Sequence, residues 1–150
     1  MIAEIDTSAV ERGLRGLLRA GTDISPVLRG ATTPLRRDIR DHQQQQEGPR
    51  NARWPAHAQA TRRKQARGRS GRRRTQRMLG RLPRLATVRV VGRDTLVARS
   101  RVRWARVHQE GGRVGHGATI PPRVWLYFGE DFVDDLEQAV VRYLAGAWEG

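Results

Sequence analysis

The stretch from Trp104 to Leu126 carries the most information about the fold: residues 104–112 read WARVHQEGG and residues 120–126 read IPPRVWL. The glycine pair permits a tight turn, and the proline pair stiffens the chain that leaves it. The tryptophans Trp104 and Trp125 are expected to anchor the block to the core. The pattern therefore predicts a strand, a turn and an extended segment that the prolines keep at the edge of a sheet.

Two helices are expected before this block. Residues 8–11 read SAVE, a capping box that starts a first helix. Its apolar residues fall on one helical face, and they are Val10, Leu14, Leu17 and Leu18. A second helix should begin at Ser25 and stop at residues 48–49, which are Gly-Pro. Pro34 should kink this second helix, or restart it with Thr33 as the cap.

A hairpin and a last helix complete the predicted elements. Residues 87–91 and 95–99 are rich in β-branched side chains and flank the glycine-containing turn at 92–94. The last helix follows Gly129, with acidic residues at its positive end and apolar residues at helical spacing. Since helices precede and follow an antiparallel hairpin or sheet, the predicted fold class is α+β, in a single domain over residues 1–150.

Composition narrows the class of protein. The chain has no cysteine, which excludes disulfides, thiolate catalysis and cysteine-based metal sites. No stretch reads as a signal peptide, and no run approaches the roughly 18 apolar residues of a membrane span. We therefore expect a soluble protein that is made in the cytosol and has no membrane partner.

The net charge of +14 is concentrated in one part of the chain. Residues 48–93 hold fifteen basic residues and no acidic one, whereas the parts before and after are nearly balanced. Residues 48–84 are expected to form a basic, partly flexible loop or arm. The residues in it that could contact DNA or an acidic partner are Arg62, Arg63, Lys64, Arg67, Arg69, Arg72, Arg73, Arg74 and Arg77.

Three interpretations of this Arg-rich segment stay open. Dense positive charge favours salt-sensitive nucleic-acid binding that is blind to sequence. The chain has no aromatic residue between Trp54 and Trp104 for base stacking, and it has no recognition motif for DNA or RNA. The segment could instead dock on acidic neighbours, or it could be a plain solvated run of charge.

The block from Trp104 to Leu126 also looks like a catalytic loop, because His108 and Glu110 precede a glycine pair. No serine stands in a G-x-S-x-G turn, however, and neither HExxH nor a phosphate-binding glycine motif occurs. The other histidines have no metal-ligand spacing. We expect no catalytic residue, metal or cofactor, and His108 is interpreted as a packed or capping residue; a hydrolase built on His108 is the other possibility.

The order of residues in this block resembles the signature of phage virion morphogenesis proteins, the tail completion proteins of tailed bacteriophages, Mu-like phages among them. In that family an aromatic-Ala pair leads into a His-Gln-x-Gly-Gly turn, and an Ile-Pro-x-Arg-x-aromatic-Leu segment enters the last helix. The matching residues, expected to form a family signature and assembly surface, are Trp104, His108, Gly111, Gly112, Ile120, Pro121, Arg123 and Trp125. Residues 53–55, 62–64 and 79–82 resemble further short segments of the family.

The resemblance implies assembly and not catalysis. Tail completion proteins act late in virion assembly, at the head-proximal end of the tail or in the neck, and make the tail competent to join the head. The implied partners are other copies in a ring, with a hexamer as the leading expectation, and neighbouring neck, tail-tube or head-completion proteins. Packaged DNA in the channel is a further expected partner of the basic segment. Assembly would take place in the host cytoplasm, and the protein would reside in the neck or tail of the virion. The alternative function is a sequence-nonspecific nucleic-acid-binding accessory protein that uses the Arg-rich segment.

Overall fold

The computed structural model describes residues 8–56 and 86–149. We number the helices of these ranges α1 (Ser8–Thr22), α2 (Ser25–Gln45), α3 (Ala105–Glu110) and α4 (Glu130–Glu149). The strands are β1 (Glu47–Gly48), β2 (Ala52–Arg53), β3 (Ala86–Val91), β4 (Thr95–Ser100), β5 (Gly112–Arg113) and β6 (Thr119–Ile120). They pair as β1–β2, β3–β4 and β5–β6 in three two-stranded sheets, so the α+β class is confirmed.

The described residues group into two compact units. The first unit consists of residues 8–35, 88–97 and 130–149, and the second of residues 36–56, 86–87 and 98–129. The single domain expected over residues 1–150 stays a prediction. The Arg-rich residues from Arg62 to Arg77 lie outside the described residues, as does most of the expected loop at 48–84.

Residues 47–56 begin that expected basic loop, and they are built into the second unit. Strands β1 and β2 pair in register, Glu47 with Arg53 and Gly48 with Ala52, around a tight turn at Pro49–Asn51 in which Arg50 and Asn51 have φ values of +58° and +56°. Trp54 follows directly and is buried. Residues 48–56 of the expected loop are therefore part of the second unit, where the buried side chain of Trp54 holds them.

In the first unit, helix α1 packs against α4 through small residues. A Cβ added at Gly13 would lie 2.7 Å from Cε3 of Trp148, and one added at Gly16 would collide with the carbonyl oxygen of Ala147. Only glycine lets the two helices approach this closely.

The larger apolar side chains of α1 lie on its outside. Val10 and Leu14 are each 51% exposed, and Leu18 is 69% exposed. An apolar helical face ordinarily packs inward, but here the buried residues of α1 are Gly13 and Ala20. The glycine face has taken the inner position, and a stripe formed by Val10, Leu14 and Leu18 is left on the surface.

Helix α2 begins at Ser25, as predicted, because Asp23 caps it. The amide of Ser25 donates to Oδ1 of Asp23 over 2.9 Å. Hydrogen bonds from the Ser25 side chain and then from its amide lower the pKa of the Asp23 carboxyl, and the charges of Arg93 and Arg29 add smaller contributions.

Helix α2 continues through Pro34 to Gln45, so the predicted restart at Thr33 is wrong. Proline removes one helical hydrogen bond, at a cost of about 3 kcal/mol. Buried apolar residues on both sides of Pro34 offset that cost at about 1.5–3 kcal/mol for each large side chain. They are Leu28, Ala31, Leu35 and Ile39.

The hairpin and the last helix form where the sequence predicts them. Strands β3 and β4 pair across a turn in which Gly92 has a φ of +68°. Helix α4 begins directly after Gly129, with acidic residues in its first turn, and it buries Phe132. Further along α4, the hydroxyl of Tyr143 donates to the carbonyl oxygen of Asp23 over 3.1 Å.

Candidate assembly site

The stretch from Trp104 to Leu126, the signature block, begins with a helix, so the strand predicted at its start is wrong. Helix α3 covers Ala105–Glu110, and Ala105 is buried. Nε of Arg106 donates to Oε2 of Glu110 over 2.8 Å, an i,i+4 pair that supports a helix. On a helix the side chains of His108 and Glu110 diverge, whereas on a strand they would share a face. The two side chains are therefore poorly placed to act as a pair.

The glycine pair makes the predicted turn. Gly111 has a φ of +75° and a ψ of −179°, a combination essentially confined to glycine. A Cβ at this position would lie 2.9 Å from the nitrogen of Pro122 and 3.0 Å from the carbonyl oxygen of Ile120. The turn and the proline-rich exit are therefore in direct contact. Strands β5 and β6 continue from this contact, with Gly112 opposite Ile120.

The side chain of Gln109 holds the exit segment in place. Its Oε1 accepts hydrogen bonds from the amides of Trp125 and Leu126, over 3.0 and 3.1 Å. Its Nε2 donates to the carbonyl oxygen of Leu126 over 3.0 Å. In parallel, the amide of Arg123 donates to the carbonyl oxygen of His108 over 2.7 Å. One amide side chain thus replaces the strand partner that the exit segment lacks.

Sequence reasoning missed Gln109 as a functional residue. Its signal was present, because the His-Gln-x-Gly-Gly motif places an amide side chain two residues before a turn. The backbone amides and carbonyls of an extended segment that returns past that turn need hydrogen-bond partners. An amide side chain supplies both a donor and an acceptor.

Arg123 and Trp125 are 6% and 1% exposed, so their prediction as an assembly surface is wrong for the folded chain. Nε of Arg123 donates to the carbonyl oxygen of Pro55 over 3.2 Å, and Nη2 donates to that of Ala56 over 3.3 Å. Burial lowers the pKa of the Arg123 guanidinium. The predicted core anchor at Trp125 is confirmed.

Trp54 is a second residue that sequence reasoning left outside the site. Its Nε1 donates to the carbonyl oxygen of Val124 over 3.0 Å. This bond fixes the residue between Arg123 and Trp125. Only the resemblance of residues 53–55 to a family segment pointed to it.

Trp104 is 46% exposed, so its prediction as a core anchor is wrong. Its ring contacts that of His108 edge-on, with the centroids 5.5 Å apart and the planes at 84°. His108 is therefore a packed residue, as predicted, and its ring supports one side of the exposed Trp104 ring. The exposed or half-buried remainder of the predicted surface consists of Trp104, His108, Gly111, Gly112, Ile120 and Pro121.

A second polar cluster lies around Asp38 in the same unit. Its Oδ1 lies 3.0 Å from Nε2 of His42, and its Oδ2 accepts the amide of Gly129 over 3.1 Å. The His42 ring packs on Tyr127 with the centroids 4.6 Å apart. Burial, and then the charges of Asp38 and Glu47, raise the pKa of Tyr127 to about 12. Both carboxylate oxygens are engaged in fixing neighbouring chain, which makes the cluster a structural one.

Two further findings concern the described residues alone. No group of three or more His, Asp or Glu side chains in 8–56 and 86–149 could hold a metal ion. Within the same ranges, none of the helices has the length and apolar character needed to cross a membrane.

The fold and the block define a small α+β protein in which the side chains of Gln109 and Arg123 hydrogen-bond to its own backbone. The phage virion morphogenesis family matches the chain over residues 5–145, and the chain belongs to that family. The family is a structural and assembly family, so the chain is a virion-associated phage protein with a role in assembly. No curated protein and no solved structure matches the chain.

Proposed function

We propose that this chain is a tail completion protein that acts at the head-proximal end of the tail or in the neck, as a ring, and makes the tail competent to join the head. The observation that carries the proposal is the family match over residues 5–145. A head-to-tail interface that closes on itself gives such a ring. A hexamer and a place among Mu-like phages remain expectations from the resemblance.

Within this function, Trp104 is the residue of the signature block best suited to contact a neighbouring neck, tail-tube or head-completion protein. It is large, exposed and held by His108. Rigid aromatic side chains of this kind dominate many interfaces. The half-buried Gln109 and the buried Arg123 and Trp54 support it by fixing the block behind it.

The proposed function is tested by electron microscopy of particles made without this protein. Filled heads lying beside unattached tails are the expected result, and supplying the intact chain should restore joined virions. Normal joined virions in the absence of the protein would reject the proposal.

The role of Trp104 is tested by Trp104→Ala in the same particles. Because the side chain is exposed, the substitution should leave the thermal midpoint nearly unchanged while reducing joined particles by about tenfold or more. The matched control is Phe128→Ala, another aromatic residue of the second unit that is 48% exposed. An equal loss of joining in both variants would show that Trp104 has no special part.

A second candidate function is favoured by the charge of the Arg-rich segment, with fifteen basic residues and no acidic one in residues 48–93. In this alternative the chain binds nucleic acid without sequence preference, and packaged DNA is its partner. Affinity for duplex DNA should then fall steeply with salt. Replacing the nine basic residues between Arg62 and Arg77 with Gln should abolish that dependence; an unchanged salt slope would exclude this segment as the contact.

A further inference from the structure

The outer face of α1 is the first of two surfaces that fit one another. Val10, Leu14 and Leu18 follow one another at a spacing of four residues and form a single ridge along the helix. Arg15 lies beside this ridge and pairs with Glu11 of the same helix over 3.2 Å, and both residues are exposed. The stripe is therefore an exposed apolar ridge with a charged border.

The outer face of α4 is the second surface. Val141 is 65% exposed and lies in a shallow groove whose other lining residues are Asp134, Glu137, Gln138 and Arg142. Val133, Glu137 and Val141 form a ridge at the same spacing of four residues. This groove is apolar at its centre, and the two acidic residues and one arginine around it give it a net charge of −1.

We propose that the apolar stripe of α1 in one copy docks into the groove on α4 of a second copy of this chain. Ridges at a spacing of four residues on both helices pack together in the commonest class of helix crossing. Helix α1 has three basic residues and one acidic residue, a net charge of +2, whereas α4 has one basic and six acidic residues, a net charge of −5, so the two helices as wholes attract.

A second copy fits the stripe for a structural reason. The stripe and the groove are different surfaces of the same unit, so every copy presents both halves of the contact. Such a contact is heterologous, and a heterologous contact whose rotation between copies closes on itself gives a ring. The inference thus rests on the proposed function and names the interface of its ring.

The size of the contact sets the strength of association. A stable interface buries about 800 Å² on each partner, and three side chains on one helix supply only part of that area. We therefore expect the free protein to associate weakly and in proportion to its concentration, with each contact reinforced once a ring closes.

Cysteine cross-linking tests the geometry, because the natural chain has no cysteine. Full-length Leu14→Cys and Val141→Cys proteins, mixed under oxidising conditions, should give a covalent dimer, while neither protein should do so alone. Mixing Arg12→Cys with Asp135→Cys, which place the thiols on other exposed positions of the same helices, is the control. Equal dimer yields from the control mixture, or from Leu14→Cys alone, would overturn the proposal.

Sedimentation of a concentration series tests the energetics. Leu14→Asp should weaken self-association by about tenfold or more, because a charge would replace an apolar side chain that the proposed contact buries. Circular dichroism should remain that of the natural chain, because Leu14 is exposed in the free subunit. Normal association of Leu14→Asp would overturn the helix contact and leave the ring intact, whereas a chain that is monomeric both free and in particles would overturn the ring as well.

Charge reversal distinguishes this specific contact from non-specific association. Arg15→Glu should weaken association by about two- to fivefold, the range expected if Arg15 forms an exposed ion pair with Glu137 of the second copy. Adding Glu137→Arg in the same chain should restore it. Glu11→Gln is the control, because it breaks the 3.2 Å pair of Arg15 with Glu11 without reversing the charge of Arg15. A double variant as weak as Arg15→Glu alone would contradict the proposed pairing, and in that case a different virion protein covers the stripe.

Discussion

At the scale of single residues, Gln109 is the side chain on which most of the signature block depends. Its three hydrogen bonds all go to the backbone of residues 125 and 126. These groups lie in a segment with no regular secondary structure. Removing the side chain leaves two backbone amides and one carbonyl oxygen without their hydrogen-bond partner. Part-buried polar groups that lack a partner destabilise the folded chain.

We predict that Gln109→Ala lowers the free energy of unfolding by about 2–4 kcal/mol, measured by urea denaturation. The control is Gln45→Ala, an exposed position at the end of α2, where a change below about 0.5 kcal/mol is expected. Equal denaturation midpoints for the two variants would show that the hydrogen bonds of Gln109 contribute little.

Asp23 gives a prediction that depends on pH. Its pKa is lowered in the folded chain from a usual value of 3.8, so the carboxylate stabilises α2 above that pH. The stabilisation is lost as the pH falls through the lower, folded-state pKa. Asp23→Ala should therefore be less stable than the natural chain at neutral pH, and the two should converge in strong acid.

The measurement for Asp23 is the difference in urea midpoint between the two proteins across that pH range. Asp23→Asn is the control, since an amide oxygen can still accept the amide of Ser25 without titrating. If the difference in urea midpoint between Asp23→Ala and the natural chain stayed the same from neutral pH into acid, a role for the negative charge of Asp23 would be contradicted.

Exposure is the property of single residues that the sequence predicted least well. Trp104 and Arg123 have exchanged the roles expected of them, the first being exposed and the second buried. The carbonyl groups that accept hydrogen bonds from Arg123 belong to Pro55 and Ala56, which are 68 and 67 residues away along the chain. No local pattern contains that information.

At the scale of elements, local signals were sufficient wherever they were strong. The starts of α1, α2 and α4 follow from a capping box, a capped serine-proline pair and a glycine before acidic residues. Helix α3 was mistaken for a strand because its six residues are too short to show a helical period. Its conformation is settled by contacts of Gln109 with residues 125 and 126.

The turn after α3 depends on Gly111 for two reasons, a positive φ and direct contact with Pro122. We predict that Gly111→Ala lowers the free energy of unfolding by about 2 kcal/mol or more. Gly115→Ala in the neighbouring loop is the control, because a Cβ there meets nothing within 4 Å. Thermal melting of both variants is the measurement, and a Gly111→Ala protein as stable as the control would contradict the role of the turn.

At the scale of the whole molecule, the family was predictable from the sequence and the interface was not. The order of short motifs between Trp104 and Leu126 led to the family that matches residues 5–145. Within those motifs Arg123 and Trp125 are buried, whereas Trp104 is exposed. A second exposed apolar surface lies on α1, where Gly13 and Gly16 take the inner face and leave Leu14 and Leu18 outside.

That reversal in α1 has a thermal consequence. In the proposed contact between copies, the apolar stripe of α1 becomes buried. Association driven by such burial has a negative heat-capacity change, and it weakens on cooling. We predict that the chain dissociates further on ice than at the growth temperature of its host, as followed by sedimentation at the two temperatures. Association that strengthens in the cold would point to charge pairs as the main attraction. Because the inner glycines of α1 leave its larger apolar side chains for the contact between copies, the stability of the proposed ring would depend on the temperature of the infected cell.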